Sequence, residues 1–266
     1  MFGEAARDFM KKLSGVILTH DNIRTIDRAV RSLVGLVDEL IIVDDYSSDA
    51  TLSLIRKVYP QARIYTRKLD RFDVQRNFGI ERAEGKWIVM IDSDEEVSPG
   101  LGEEIKKALR HPDCDAYQCY LENETFNARI VLKLERFLLF KGSFRFQGAL
   151  HEKIHPERVG FLPGKLLHHS WIDVEDFVND INQYSGYQAK KWLLQNRNYS
   201  KPQLLGIALV MPVYQFVKMA FFQKRILKGV FQGVVYPLAA SAEWIFSVMK
   251  YYESKYIKKE SPADIK

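Results

Sequence analysis

Four short apolar runs, GVILTH (15–20), ELIIVDD (39–45), ARIYTR (62–67) and KWIVMID (86–92), alternate with segments of helical spacing at 26–36, 50–59 and 74–84. This alternation is the strongest constraint on the fold. Antiparallel strands can be joined by a two-residue turn, whereas parallel strands need a crossover of a dozen residues or more, usually a helix. The spacing therefore predicts parallel strands joined by right-handed helical crossovers, the second helix closed by Pro60 and the third by Gly85. In such sheets ligands bind beyond the carboxyl ends of the strands. The polar clusters THDN (19–22), DDYSSD (44–49) and DSDEE (92–96) all follow strand ends, so the topology gathers them on one rim.

After Pro99 the pattern changes to a helix at 101–110 and then strands and loops over 115–126, 132–141 and 144–154. From Val174 the chain reads as helical: an amphipathic segment at 174–195, then apolar stretches at 204–222 and 230–249. At the other end Phe2, Ala6, Phe9, Met10 and Leu13 share one helical face, which predicts an amphipathic helix over 1–13 that packs on the domain or lies on a membrane. That stretch lacks the unbroken apolar core of a cleavable signal. Two cysteines, Cys114 and Cys119, are too few for a disulfide framework or a four-cysteine zinc site and read as reduced packing residues. The formal net charge of +5 is uneven, with acids in the first two-thirds and lysines among the aromatic residues of the last quarter. Basic residues among aromatics suit nucleic acid or an anionic membrane surface. The acidic rim argues against nucleic acid.

No G-x-G-x-x-G follows the first strand and no G-x-x-x-x-G-K-[ST] occurs, so the usual glycine-rich phosphate cradles are absent. A phosphate site without them needs another positive element. Asp92-Ser93-Asp94 offers hard oxygen ligands for Mg²⁺ or Mn²⁺, and residues two apart leave an extended strand on the same side. A solvated acidic loop is the competing reading of that triplet.

Three ordered motifs decide between the readings: Val43-Asp44-Asp45-Tyr46-Ser47-Ser48-Asp49-Ala50-Thr51, Arg76-Asn77-Phe78-Gly79 and Asp92-Ser93-Asp94. Over roughly residues 14–100 the chain resembles the family 2 glycosyltransferases of the GT-A fold. Their pattern runs V-D-D-x-S-x-D-x-T, R-N-x-G and D-x-D, usually with glycine where Tyr46 stands here. FRFQGALHEKI (144–154), LLHHSW (166–171) and ILKGVFQGVVY (226–236) resemble, more loosely, the bacterial enzymes that add β-glucosyl residues to the lipopolysaccharide core.

The resemblance implies a GT-A, Rossmann-like, mostly parallel α/β sheet flanked by helices. It divides the chain into the N-terminal helix (1–13), a catalytic domain (14–173) and a helical, membrane-associating region (174–266). It implies that Asp44 or Asp45 bonds the base or ribose of a nucleotide sugar, with Thr19 lining the same pocket and Arg76 near the base. Asp92 would approach the ribose or sugar, and Asp94 would hold the Mg²⁺ or Mn²⁺ that bridges the diphosphate. His168 would be a further metal ligand or diphosphate contact, or else structural. Glu152 is the expected general base, with His151 orienting it or touching the diphosphate. The competing reading of Glu152 is a surface pair with Lys153, and Asp115 and Glu122 are the next carboxylates.

The expected reaction is inverting single displacement of a hexose onto a lipid-linked or lipopolysaccharide-type saccharide. A polyprenyl-phosphate acceptor and an idle nucleotide-binding module are the alternatives. QAKKW (188–192) nearly matches the Q-x-x-R-W of processive enzymes, but Lys191 replaces the arginine, so the stretch reads as an amphipathic helix. The tail suggests interfacial helices at the cytoplasmic face of the inner membrane, peripheral or monotopic. A spanning pair and a protein-packed cap stay open.

Overall fold

The computed structural model describes residues 13–125, 128–148, 153–171, 173–223, 225–228 and 230–259. The expected N-terminal helix, apart from Leu13, and the pair His151–Glu152 lie outside the described residues. Leu13 itself is buried and opens the first strand. The chain divides into two compact units, Met1–Ile172 and Asp173–Lys266.

The first unit is built on an eight-stranded sheet: β1 (Leu13–Thr19), β2 (Glu39–Asp44), β3 (Arg63–Thr66), β4 (Trp87–Asp92), β5 (Glu95–Val97), β6 (Ala116–Thr125), β7 (Ala128–Lys141) and β8 (Val159–Trp171), in the order β3-β2-β1-β4-β7-β6-β8-β5. The first four strands are parallel, as their alternation with helices predicts. Helices α1 (Ile26–Leu33), α2 (Thr51–Val58) and α3 (Phe72–Ile80) make the crossovers, and α4 (Pro99–Arg110) follows β5. Ser98 caps α4 through Leu101 N–H.

Successive strand residues point to opposite faces, and both faces of the parallel strands are buried. Ile17, Ile42, Val89 and Ile91 enter a core with Ile26 and Leu33 of α1, Ile55 of α2 and Leu101 and Ile105 of α4. Their neighbours Val16, Ile41, Val43, Ile88 and Met90 enter a second core with Ile80 of α3. This is why the central strands read as unbroken apolar runs. The sequence left β5 and β8 unassigned; β5 is three residues long and β8 carries Pro163, Gly164 and two adjacent histidines.

The second unit holds α5 (Val174–Leu194), α6 (Lys201–Val217) and α7 (Tyr236–Tyr252). Helix α6 runs on to Phe222 in wider π-type turns, and a further such turn, Phe231–Val235, leads into α7. Asp173 caps α5, and Ser200 with Gln203 forms a capping box at the start of α6. Trp192, Leu193, Leu204, Val248 and Tyr251 form its core, so Trp192 of QAKKW is a packing residue. Pro237 lies in the first turn of α7, where a missing N–H is tolerated.

Candidate active site at the sheet rim

Register alone lines up three of the expected residues. Thr19 at the end of β1 pairs with Asp44 of β2, and its neighbour Leu18 pairs with Asp92 of β4. Thr19 is buried, and its hydroxyl has no partner among the described residues. The loops beyond these strands are tied to one another. Asp21 accepts from the backbone N–H of Ser48 (2.6 Å) and Asp49 (3.2 Å), which lowers its pKa. Ile23 N–H donates to Asp49, and the Ser93 hydroxyl donates to Asn22 at 2.7 Å. All three polar clusters thus meet on one rim. Asp44 accepts from Ser47 N–H; Asp45 accepts from Leu69 N–H at 2.9 Å and faces Lys68 at 3.3 Å. Tyr46, at the position where glycine is usual, has φ +55°, a left-handed conformation that costs a side chain energy.

Asp92 sits between two guanidinium groups. Arg76 from α3 donates to it at 3.0 and 3.4 Å, and Arg136 from β7 donates at 2.8 Å. Arg136 also pairs with Glu95, whose other oxygen accepts from Asp92 N–H at 2.8 Å. Buried charges persist only when paired and hydrogen-bonded, and this cluster meets that condition. Burial opposes ionisation of Asp92, but Arg136 and Arg76 outweigh it and hold the carboxyl well below its usual range. Burial pushes Glu95 up to about 7 against the pull of Arg136. Arg76, expected near the base, is thus engaged by Asp92. The sequence reading missed Arg136, which stands between Glu135 and the apolar run FLLF (137–140) with no local sign of its buried partners.

Asp94 and His168 also meet. Main-chain pairing sets β8 beside β5 with His168 opposite Glu95, and His169 N–H bonds Asp94 O. His168 Nε2 lies 3.1 Å from Asp94 Oδ2 and its Nδ1 2.9 Å from Asn123 Oδ1. Burial disfavours the imidazolium, but Asp94 and the nearby Glu95 and Asp92 lift His168 to about 9. His169 points the other way, to Glu96 at 3.0 Å and Arg28 at 3.1 Å.

The Asp94 carboxylate is a hard oxygen ligand that fits Mg²⁺ or Mn²⁺, with phosphate oxygens and water as the remaining ligands, and His168 Nε2 joins it only by giving up the proton it shares with Asp94. Among the described residues no group of three such side chains is set to hold an ion by itself. Asp92 and Asp94 remain about a third exposed, at 32% and 33%, so both are within reach of a ligand.

The R-N-x-G motif has a packing explanation at each position. Asn77 clamps Phe146 through two bonds, Nδ2 to O at 2.9 Å and Oδ1 from N–H at 2.8 Å. A Cβ on Gly79 would stand 2.6 Å from Val16 Cγ1, so only glycine lets α3 approach β1 this closely. Gln147 and Lys153 then bond each other in both directions next to that anchor. Of the other carboxylates, Asp115 is held by Lys141 and Arg158, and buried Glu122 faces Lys165.

Residues 14–161 match the profile of glycosyl transferase family 2. A glycosyltransferase of Rickettsia typhi is 27% identical over 245 residues, 85% of this chain and 82% of the relative. One of Rickettsia bellii is 28% identical over 246 residues, 85% of this chain and 81% of the relative. A crystal structure of S. aureus TarS 1-349 is similar at a TM-score of 0.48 and 14% identity, over 94% of this chain and 92% of that one.

Proposed function

The chain belongs to glycosyl transferase family 2, and on that footing we propose that it is an inverting, metal-dependent hexosyltransferase. It moves a sugar from a nucleotide-sugar donor to a lipid-linked or lipopolysaccharide-type saccharide by single displacement. The observation that carries this reading is the rim itself, where Thr19, Asp44 and Asp92 end three adjacent strands and Asp94 meets His168 beside them.

In this reading Asp44, Asp45 and the buried Thr19 hydroxyl receive the nucleoside, whose hydroxyl and N–H groups need acceptors. Asp92, kept ionised by Arg76 and Arg136, accepts from the ribose or sugar with its outward lone pairs. Asp94 and His168 hold Mg²⁺ or Mn²⁺. When bound, such an ion neutralises the charge that grows on the departing nucleoside diphosphate. Glu152 takes the acceptor hydroxyl's proton on the opposite face of the sugar, which gives inversion, and His151 orients Glu152 or contacts the diphosphate.

The apolar stretches of the second unit support a place at the cytoplasmic face of the inner membrane, where a lipid-linked acceptor is presented.

The test is transfer from a panel of labelled nucleotide sugars with and without Mn²⁺, together with donor binding by calorimetry for wild type and Asp94→Asn. The expected result is one accepted donor, with binding that needs the ion in wild type and is lost in the variant. Ion-independent binding that Asp94→Asn leaves unchanged would remove Asp94 as the ligand.

A further inference from the structure

The second unit is amphipathic as a whole. Along α6, from Leu204 to Val217, the sequence LLGIALVMPVYQFV holds no charge, and Leu205, Leu209, Val210, Val213 and Tyr214 all face outward. Beyond it Phe222 is 81% exposed and Leu227 80% exposed, and Leu238, Ile245 and Met249 are exposed on α7. Scattered exposed apolar residues are ordinary, but this many along one uncharged stretch of helix and its neighbour mark an interaction surface.

Between Leu204 and Leu227 the exposed polar residues, among the described residues, are Lys218 and Gln223, and the unit's other exposed polar groups lie elsewhere. Helix α5 exposes Glu175, Asn179, Asn182, Gln183 and Lys190, interleaved with exposed Val174, Val178 and Leu194. Its ends pack beside the two ends of α7, with Phe177 and Tyr236 rings 5.9 Å apart and Trp192 and Tyr251 rings 5.8 Å apart. At one end of the unit the closing segment, with Lys255, Lys258, Lys259 and Glu253, meets the turn that carries Arg197 and precedes Lys201: Tyr251 donates to Arg197 O and Lys255 to Asn198 Oδ1. Tyrosines knit that end together: Tyr256 donates to Tyr199 O at 2.7 Å, and Lys201 lies over the rings of Tyr252 and Tyr256 at 5.8 and 5.6 Å. Tyrosine, tryptophan and lysine together are the chemistry of a headgroup layer.

We propose that the second unit lies flat in one leaflet of an anionic phospholipid bilayer, with the outward faces of α6 and α7 immersed and the lysine–tyrosine end among the headgroups. This deepens the membrane-surface reading above and rests on it. Lys201–Phe222 has 22 residues, about 33 Å of helix, enough to cross a bilayer. Upright insertion would nevertheless carry the polar side of α5 into hydrocarbon, because α5 runs beside α7 from end to end. Lying flat satisfies both sides at once.

The test uses the full chain with vesicles of phosphatidylglycerol and phosphatidylethanolamine, and with vesicles of phosphatidylcholine alone. Wild type sediments with the anionic vesicles, and less so as salt rises. Lys255→Glu, Lys258→Glu and Lys259→Glu together lower that partitioning by about 100-fold, at roughly fivefold or more per lysine lost. Leu209→Asp with Val213→Asp lowers it by about tenfold or more on both vesicle types; both sites are exposed, so the fold should tolerate the change.

Spin labels attached through Leu209→Cys and through Phe222→Cys, in a Cys114→Ser background, report depth, and buried Cys119 stays unlabelled. Similar, shallow depths at both sites support the flat pose. A label at 222 reached only from the vesicle lumen overturns it in favour of spanning. A protein that ignores vesicles but self-associates until Leu209→Asp is introduced overturns it in favour of a second copy. Donor binding is measured on every variant, so a failure of lipid binding with donor binding intact leaves the transferase reading standing.

Discussion

The two units invert each other's use of charge. In the first, apolar residues fill both sides of the sheet, and the chain ends four parallel strands in charged and polar groups that are partly buried and matched one to another. In the second, many apolar side chains face outward and most of the charges are exposed lysines, with buried Arg225, stacked on Tyr236, as an exception. Charge at the rim is therefore placed against desolvation, whereas most of the charge on the second unit is left in water. Residues kept where they are expensive mark a site, and residues exposed where they are apolar mark a surface. Substitutions should consequently hurt the two units in different currencies: rate and folding stability at the rim, partitioning in the helices.

The largest expected effect is at Glu152. Glu152→Gln keeps size and shape but cannot accept the acceptor's proton, and loss of a general base costs about 10²–10⁴-fold in rate. The fall should appear in kcat and kcat/KM together, with donor affinity within a few-fold, because a contact made only in the transition state lowers both. Near-normal turnover would dismiss Glu152, and attention would pass to Asp115 and Glu122, both already engaged by cations.

Next comes a direct contrast between units. Arg136→Met leaves Asp92 and Glu95 facing each other without their shared cation. Breaking a buried pair costs about 3–5 kcal/mol, whereas an exposed one contributes about 0–1 kcal/mol. Lys258→Met, which removes the exposed partner of Glu253, should therefore shift the urea midpoint little while Arg136→Met shifts it strongly. Equal shifts would mean that the rim charges are no more structural than the helical ones.

A smaller loss is expected at Gly79. Gly79→Ala drives a methyl group against Val16 in the second core of the sheet, and overpacking of this kind costs about 1–3 kcal/mol. Because Asn77 and Arg76 share the helix, donor binding should weaken in proportion as α3 is pushed from β1. A stability change without any change in donor binding would show that the motif's glycine serves packing alone.

How much of this was legible in the residues follows from the range of the interactions. The parallel half was readable because a buried strand writes itself as an apolar run and its crossover as a helical period. The expected bounds 15–20, 39–45 and 86–92 fall within two residues of β1, β2 and β4. The meeting of Asp94 with His168 was named from motif resemblance, but no local signal sets β8 against β5; that contact joins residues 74 positions apart. Arg136 was missed for the same reason, since its partners lie 41 and 44 positions away. Arg76 was named for a place near the base, a role toward a ligand; its partner within the chain, Asp92, carries no local signal in the sequence.

The smallest expected effect sharpens the comparison at the level of the backbone. Each unit holds a non-glycine residue in the left-handed region at a turn: Tyr46 at φ +55° beyond β2, and Asn196 at φ +53° just after α5. Asparagine tolerates this conformation, while a bulky residue there costs on the order of 1–2 kcal/mol. Glycine removes that cost but gives back about 0.5–1 kcal/mol in chain entropy. Tyr46→Gly should thus raise stability by about 0.5 kcal/mol, and Tyr46→Ala, which keeps the strain, should fall below it by about 1 kcal/mol. Asn196→Gly should change stability by only a few tenths of a kcal/mol. The Tyr46 ring is 62% exposed, so its loss removes little packing and the two variants differ mainly in backbone strain. If Tyr46→Ala proved as stable as Tyr46→Gly, the left-handed turn after Asp45 would carry no strain, and the tyrosine in the place of the usual glycine would be neutral to the fold.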